Sequence, residues 1–263
     1  MAVVFVIVFA TIAILTRTGR KDFVLKIPVD PELVNNGSFE KGDFNNDPNH
    51  GEPEFGPVNF GSIPLARAVK LLRSDSSALQ DWKVLGGSGK TLPPSCQPTT
   101  TDTNLDAIAW LDSDGCNQCN LLPADGKRFI DLTGYCLRES KAFGGVESKA
   151  AITLQPFQEY ELAFSIGVSS VFNNPKTVTV RLEIPERQFS EPFYVQVPES
   201  GVTWKQFNIR FYGGLKTLGS DGSSVTLRFT AVDGGEYVAL DNVSLKRVCF
   251  IVNAILFGAN CSG

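Results

Sequence analysis

The second half of the sequence is a succession of strand-length segments, and this regularity constrains the fold more than any other feature. Each segment carries apolar residues in alternation or in a short run, and Gly, Pro, Asn or Asp residues separate it from the next. Neither an alternation of strands with helices nor an internal repeat is visible. Short strands at similar intervals are typical of antiparallel sandwiches and jelly rolls. The predicted strands are 128–132, 145–154, 159–166, 177–184, 193–197, 204–212 and 224–231.

The first half is predicted to hold fewer strands and longer loops. Segments 79–85 and 107–111 are strand-like, whereas segment 63–72 fits a short helix or a strand equally well. Polar segments rich in Gly, Pro, Asn, Asp and Thr predict loops at 41–61 and 91–104, and a Cys-rich insertion follows residue 111. We therefore predict an all-β fold, an antiparallel jelly-roll β-sandwich with long early loops and a Cys-rich insertion.

One acidic residue stands in the middle of an otherwise uncharged, strand-like segment. Asp241 lies within residues 237–245, which alternate like a half-buried strand. Near the start of the predicted domain, residues 33–40 form a second strand-like segment that ends in Glu40. If the first and last strands pair, these two carboxylates meet and are suitable ligands for Ca²⁺. The alternative is that Glu40 caps a turn and that Asp241 accepts backbone hydrogen bonds.

The N-terminal residues 2–15 form an almost unbroken apolar segment. About 15 helical residues reach roughly 22 Å, less than the ~30 Å of a hydrocarbon core. We therefore predict that residues 1–22 are a secretory signal peptide or signal-anchor, and that the protein is extracellular or on the cell surface. Against this, basic residues follow the segment rather than precede it, which favours a cytosolic domain if residues 2–15 anchor the chain in a membrane.

Six cysteines support an oxidising compartment, because an even number in a chain with an apolar N-terminus favours disulfides. Four lie close together and two flank the C-terminal tail, so we expect two bridges in the first group, with open connectivity, and one in the second. The Cys-x-x-Cys spacing in the first group also suits a redox or zinc site, but the loop-like sequence around it favours structural bridges. The cysteines are Cys96, Cys116, Cys119, Cys136, Cys249 and Cys261.

The globular domain is predicted to cover residues 33–247, followed by an apolar tail, 248–263. The tail is too short to span a membrane, so we expect it to pack on the domain, with contact to a partner or a membrane as the alternative. Three Asn-x-Ser sequons are candidate glycosylation sites, namely Asn36, Asn242 and Asn260. The first two lie in the two segments expected to pair, where a glycan is harder to accommodate.

Charge and histidine content limit the classes of function. With 24 basic and 28 acidic residues and a net charge of −4, the chain has no basic stripe for nucleic acid. The one histidine, His50, lies in a polar loop, so we expect no Ser-His-Asp or Cys-His arrangement. Paired carboxylates for glycoside hydrolysis stay open, because spacing in sequence does not give distances. On balance we do not expect an enzyme.

Six motifs, in order, resemble a known group of proteins: NGSFE, DWKVLGGS, DGKRFIDLTGY, GGVESKAAITLQPFQEYELAFSIG, TWKQFNIRF and YVALDNVSL. They look like the galactose-binding-like jelly rolls, especially the extracellular cell-wall domain family of unknown function from plants and bacteria. They are also similar to family-four-type carbohydrate-binding modules. The resemblance covers about residues 33–245, without the Cys-rich insertion. It implies eight or more strands and often a structural calcium, bound by the acids that correspond to Glu40 and Asp241.

The function that this resemblance implies is binding of a wall or matrix polysaccharide, by aromatic rings that stack on sugars and polar side chains that bind hydroxyls. The aromatic candidates are Trp82, Trp110, Trp204 and Tyr212. Trp82 and Trp204 match positions that look like core, whereas Trp110 matches none and is close to Asp112 and Asp114. These last three residues are the predicted glycan site, although core packing is the favoured interpretation of Trp110.

A different class of function is also open. In a structural subunit of an extracellular assembly, the same fold and its apolar ends contact other extracellular proteins. A carbohydrate-binding protein is expected to expose aromatic residues on a sheet or loop rim, whereas an assembly subunit buries its apolar ends in its neighbours.

Overall fold

A computed structural model describes residues 31–43, 67–71, 78–85, 108–112, 122–132, 144–156, 158–170, 176–213, 223–232 and 238–248. Within these ranges the secondary structure is thirteen β-strands and one short 3-10 helix, Pro185–Arg187. In the same part of the chain, no helix is long and apolar enough to cross a membrane. The strands are β1 (Arg67–Leu71), β2 (Trp82–Leu85), β3 (Ile108–Asp112), β4 (Arg128–Asp131), β5 (Gly145–Ser148), β6 (Ile152–Leu154), β7 (Glu159–Ser169), β8 (Thr177–Ile184), β9 (Phe189–Gln196), β10 (Val202–Tyr212), β11 (Ser223–Val225), β12 (Arg228–Ala231) and β13 (Ala239–Val248).

Two antiparallel sheets form the sandwich. The larger sheet has the order β1-β3-β4-β13-β7-β10 and the smaller has the order β2-β5-β12-β8-β9, while β6 and β11 form a separate pair. Every strand pair is antiparallel. The predicted all-β jelly-roll sandwich is therefore confirmed. The last strand, β13, lies in the middle of the larger sheet between β4 and β7.

Alternation along the strands builds the core between the sheets. In β8, Val178, Val180, Leu182 and Ile184 are buried, while Arg181 between them is exposed. Aromatic rings from both sheets meet at the centre, where buried rings each contribute a large apolar area. Phe164 of β7 contacts the rings of Phe193, Phe207 and Phe229 at centroid distances of 5.0, 5.5 and 5.1 Å.

The outer face of the smaller sheet carries a row of alternating charges across four strands. Arg228 lies 2.6 Å from Glu147 and 3.5 Å from Glu183, and Lys83 lies 3.9 Å from Glu147. Such surface ion pairs contribute about 0–1 kcal/mol each. The row therefore gives this face a balanced, solvated surface and little stability.

The predicted strand at 33–40 is wrong in conformation, although its pairing with the last strand is confirmed. This segment contains turns, with Asn36 at φ 51° and Phe39 at φ 54°. The Leu33 amide donates to Leu245 O and the Val243 amide donates to Gly37 O, each at 2.9 Å. A Cβ on Gly37 would lie 1.7 Å from Val243 O, so this close contact between the two ends of the domain requires glycine.

Other strand predictions differ in detail. The ambiguous segment 63–72 contains strand β1, and segments 145–154 and 224–231 each divide into two strands. Several predictions concern residues outside the described ranges and stay predictions: the apolar segment 2–15, His50, Cys96, Asp114, Cys116, Cys119, Cys136, Cys249, Asn260, Cys261 and the tail after Val248.

Candidate functional site

Trp110, the predicted sugar-stacking residue, is fully buried. Its Nε1 donates to Phe39 O at 2.9 Å, and the Arg128 guanidinium lies 5.2 Å from the ring centroid. An enclosed ring presents no face to a sugar, so this prediction is wrong and core packing applies. Asp112 is the last residue of β3, and its role in glycan binding stays a prediction.

Trp82 is core, as the resemblance implied. It is fully buried, and its Nε1 donates to Asn36 O at 2.9 Å. Its ring centroid lies 5.2 Å from that of Phe39 and 6.3 Å from that of Phe229. Trp82 therefore fixes the turn at 34–39 onto the centre of the sandwich.

Trp204 lies on the outer face of the larger sheet, which corrects its assignment to the core. It is partly exposed and pairs with Gly167 of β7, where an added Cβ would lie 2.8 Å from the Trp204 ring. The ring also meets Phe129 edge-on at 5.9 Å, and Nε1 donates to Leu122 O at 2.8 Å. Gly167 therefore makes the space in which this ring lies flat on the sheet.

Residues 122–127, which we call the strap, lie on this same outer face just before β4. Trp204 holds one end of the strap through Leu122 O. The Asp125 amide donates to Asp241 Oδ2 at 2.9 Å, and the Lys127 amide donates to Glu40 Oε1 at 2.6 Å. The structure thus brings the two predicted cation ligands to one segment, where each accepts backbone hydrogen bonds.

Asp241 is fully buried in the middle of β13. Burial raises the pKa of its carboxyl to about 7, because a charge is poorly solvated there. Backbone hydrogen bonds from Asp125, Asn242 and Ala124 act in the opposite direction, and the nearby Asp125 carboxylate raises the pKa further. A positive charge beside Asp241 would offset the cost of its ionisation.

The donor atoms at the strap suit Ca²⁺, which prefers carboxylate and carbonyl oxygens. A carboxylate has about four lone-pair positions, so Glu40 and Asp241 retain capacity beyond the backbone bonds that they accept. In the described ranges, no group of three or more His, Cys, Asp or Glu side chains is arranged to hold a metal ion. A cation held by these two carboxylates would therefore take its other ligands from backbone carbonyls and water.

A row of hydrogen-bonding side chains follows β10 on the same outer face. Gln206, Asn208 and Arg210 are exposed, and the row ends in Tyr212, which is 62% exposed. On the neighbouring strand β7, the small Ala163 lies opposite Asn208. We call this surface the polar face. It consists of Gln206, Asn208, Arg210 and Tyr212 of β10 with Glu161 and Ala163 of β7.

The polar face is ordered by its strands and by one ion pair. Arg210 Nε donates to Glu161 Oε2 at 2.8 Å across β10 and β7, which pair along their full lengths. Between Trp204 and Tyr212 the strand advances eight residues, or about 27 Å. Ala163 adds only a methyl group beside these longer side chains.

Two of the predicted glycosylation sites lie in the described residues. Asn36 is buried, and its Nδ2 donates to Lys41 O at 2.8 Å and to Gln80 O at 2.7 Å. Both amide hydrogens are used, so the folded protein has no room for a glycan and the prediction for Asn36 is wrong. Asn242 lies in a bulge of β13, at φ 53°, and is partly exposed; its glycosylation stays a prediction.

Comparison with known proteins shows a similarity of fold. No protein-family model and no curated protein sequence matches this chain. The apo form of a cyclase from Fischerella sp. is similar with a TM-score of 0.51 and 16% identity, over 84% of this chain and 96% of that chain. This likeness shows a shared fold alone.

Carbohydrate-binding modules are also among the similar structures, at lower similarity. A family 61 module in complex with β-1,4-galactotriose has a TM-score of 0.39 and 11% identity, over 83% of this chain and 99% of that chain. The CBM22-1 xylan-binding domain from Paenibacillus barcinonensis has a TM-score of 0.34 and 12% identity, over 72% and 99%. At this distance the two modules carry no argument about the ligand of this chain.

Proposed function

We propose that the protein is a non-catalytic, extracellular or cell-surface protein that binds carbohydrate through the polar face. The observation that supports this proposal is the row of exposed amide, guanidinium and phenol groups along β10, which ends in Tyr212. The paired strands fix the backbone of these residues, so no backbone entropy is lost when they bind a ligand.

The chemistry of the polar face suits a neutral polysaccharide. Gln206 and Asn208 each offer a donor and an acceptor to sugar hydroxyls, and the Tyr212 ring can pack against the apolar face of a pyranose. Arg210 is paired with Glu161, so the centre of the face has balanced charge. An exposed row of about 27 Å is long enough to contact a chain of several sugars.

In this proposal Ca²⁺ is a structural ion held by Glu40 and Asp241. It would supply the positive charge that the buried Asp241 carboxylate needs, and so keep the strap on the sheet beside Trp204. Glu40 orients the end of the strap, because its Oε1 accepts hydrogen bonds from the amides of Lys127 and Arg128 at 2.6 and 2.7 Å.

The extracellular location rests on the sequence, namely the apolar segment 2–15 and the six cysteines. Disulfides at these cysteines and a glycan at Asn242 or Asn260 belong to the same proposal. Mass spectrometry of protein recovered from the culture medium tests secretion. Repeating it after reduction and after deglycosylation tests the disulfides and the glycan.

The test of carbohydrate binding uses the full-length chain with its disulfides intact, on a glycan array and in polysaccharide pull-downs. The variant Tyr212→Ala is expected to lower the affinity at least tenfold, which corresponds to about 1.4 kcal/mol. Tyr194→Ala is the matched control, because Tyr194 is 54% exposed on the outer face of the smaller sheet and should leave binding unchanged.

Two outcomes contradict the proposal. One is an equal loss of glycan affinity in Tyr212→Ala and Tyr194→Ala, which would mean that the polar face is not the site. The other is the absence of binding to any glycan together with stable association with extracellular proteins, which would favour a structural subunit of an assembly.

A further inference from the structure

A pocket lies between the turn at 34–39 and the connection from β5 to β6. It is partly open to solvent and has a volume of about 250 Å³. Small side chains at the connection leave room for a ligand between these two parts of the chain. The apolar part of the lining consists of Leu33, Val34, Ala150, Ala151 and Ile152.

Asp81 is the one charged residue among the described residues that line the pocket. Its φ of 65° is in the left-handed region, which Asp and Asn adopt more readily than most residues. Its carbonyl oxygen accepts a hydrogen bond from the Lys149 amide at 2.8 Å, and the next residue, Trp82, is fully buried. These contacts fix the backbone of Asp81 at the wall of the pocket.

The Asp81 carboxylate has no counter-ion in the part of the chain that the structure describes. Basic residues close to it in the chain and in space bind other acceptors. Lys83 Nζ lies 3.9 Å from Glu147 Oε1, and Lys149 Nζ donates to Leu79 O at 3.0 Å. Asp81 is half-buried, so its charge is only partly solvated, and a cation in the pocket would compensate it.

The other polar residues of the lining are neutral hydrogen-bonding groups, namely Asn35, Ser148 and Thr153. Asn35 and Thr153 are exposed, and each offers both a donor and an acceptor. Ser148 Oγ accepts from the Leu227 amide at 3.1 Å and keeps its own hydrogen to donate. A ligand that combines hydroxyl groups with one positive charge therefore matches the lining.

We propose that this pocket binds one protonated amino-sugar unit. Its ammonium group would form a charge-assisted hydrogen bond with Asp81, and its hydroxyl groups would bind Asn35 and Thr153. An apolar cavity of about 150 Å³ accepts benzene, so by the same scale about 250 Å³ holds roughly ten non-hydrogen atoms. An amino sugar has slightly more, and the open side of the pocket leaves space for the remainder.

This site is independent of the proposed carbohydrate site. Its lining comes from residues 33–35, 81 and 148–153, and none of them belongs to the polar face. A polysaccharide on the polar face and an amino sugar in the pocket therefore use different residues. Failure of one proposal leaves the other standing.

The test is a titration of the full-length, disulfide-intact protein with glucosamine at about pH 6.5, where such an amine is protonated, followed by ¹H–¹⁵N NMR. Glucose is the neutral probe with the same ring, and butylamine is the charged probe without hydroxyl groups. We expect shifts at the amides of Asp81, Ala151 and Thr153. Glucosamine should bind at least tenfold more tightly than glucose and at least threefold more tightly than butylamine, because it alone makes both kinds of hydrogen bond.

Two isosteric variants separate the charge from the hydroxyl contacts. Asp81→Asn keeps the size of the side chain and tolerates the left-handed conformation, so it should weaken glucosamine binding about tenfold and leave glucose unchanged. Thr153→Val keeps the shape of a strand residue, and it should weaken both sugars about threefold and leave butylamine unchanged.

Two controls make the result specific. Glu191→Gln removes an exposed negative charge in β9, outside the pocket, and should bind glucosamine as the parent does. Tyr212→Ala changes the polar face and should leave the shifts at the pocket residues unchanged. Melting temperatures equal to that of the parent show that the variants fold.

Four results would overturn the proposal. One is the absence of shifts at the pocket residues up to about 20 mM glucosamine, a concentration that reveals weak binding. Another is equal affinity for glucosamine and glucose in the parent protein, which needs no variant and would remove the role of Asp81. Equal weakening in Asp81→Asn and Glu191→Gln would reduce the effect to net charge. Butylamine binding as tightly as glucosamine would exclude recognition of a sugar.

Discussion

Replacing Asp241 with Asn tests whether a buried carboxyl without a compensating cation makes the fold sensitive to pH. The substitution keeps the size of the side chain and one oxygen acceptor, but it removes the group that ionises. The difference in the free energy of unfolding between the parent and Asp241→Asn then reports the titration of Asp241, provided that a chelator excludes calcium.

The magnitude follows from the shift of the pKa. Burial raises the pKa of Asp241 from 3.8 to about 7 in the folded state. Between these values the folded protein keeps a proton that the unfolded chain has released, so this stabilisation is full below pH 3.8 and is lost as the pH rises to about 7. At ~1.4 kcal/mol for each unit, the parent should lose about 4 kcal/mol relative to the variant.

The assay is urea unfolding of both proteins from pH 4 to pH 8 with disulfides intact, monitored by tryptophan fluorescence. With chelator, the stability difference should shift in favour of Asp241→Asn as the pH rises. With saturating Ca²⁺, the shift should shrink, since the ion stabilises the ionised carboxylate. The reasoning would be refuted if, in chelator, the difference in the free energy of unfolding between the two proteins stayed constant with pH. It would also be refuted if the parent became the more stable protein as the pH rises.

Two further substitutions test the ends of the domain and the outer face. Asn36→Ala should lower the free energy of unfolding by about 2–4 kcal/mol, because it removes three hydrogen bonds and places Ala at φ 51°. Asn35→Ala is the control, since Asn35 is exposed. A similar loss of stability in both variants would contradict this account. Gly167→Ala should cost about 1–3 kcal/mol and change the tryptophan fluorescence, because the new Cβ meets the Trp204 ring. Unchanged melting and fluorescence would show that the ring is not held there.

Alternation of apolar and polar residues was sufficient to predict strands that are flanked by turn-forming residues at both ends. Thr177–Ile184 is a strand with the predicted bounds, since apolar side chains alternate until Pro185. The break between β5 and β6 has no such signal in the sequence. It depends on a distant contact, in which the Lys149 amide donates to Asp81 O at 2.8 Å. Tertiary contacts determine such breaks between strands, so the local sequence does not predict them.

The turn at 34–39 could not be predicted for the same reason. Its apolar residues resemble a strand, but the left-handed conformation of Asn36 depends on bonds to Gln80 O and from Trp82, more than forty residues away. The meeting of Glu40 and Asp241 at one segment was predictable from the pairing of the domain ends. The position of the strap could not be predicted, because it depends on contacts with three separate strands.

The sequence does contain a signal that places Trp110 in the core and Trp204 on the outer face, the reverse of their predicted positions. Trp110 is in phase with Ile108, which places both in the core. Trp204 is out of phase with Phe207, Ile209 and Phe211, and so points to the outer face. Applying the two-residue period within each strand assigns both rings correctly, whereas matching the positions to a resembling family did not.

The central position of β13 has a consequence for synthesis of the protein. The strands β1, β3 and β4 on one side, and β7 and β10 on the other, are all made before the strand that joins them. The nascent chain therefore carries two incomplete sheets, with strand edges open to wrong pairing, until residue 248 leaves the ribosome. At about 5–20 residues per second, the roughly 80 residues after β7 take about 4–16 s, an interval in which chaperones would protect those edges.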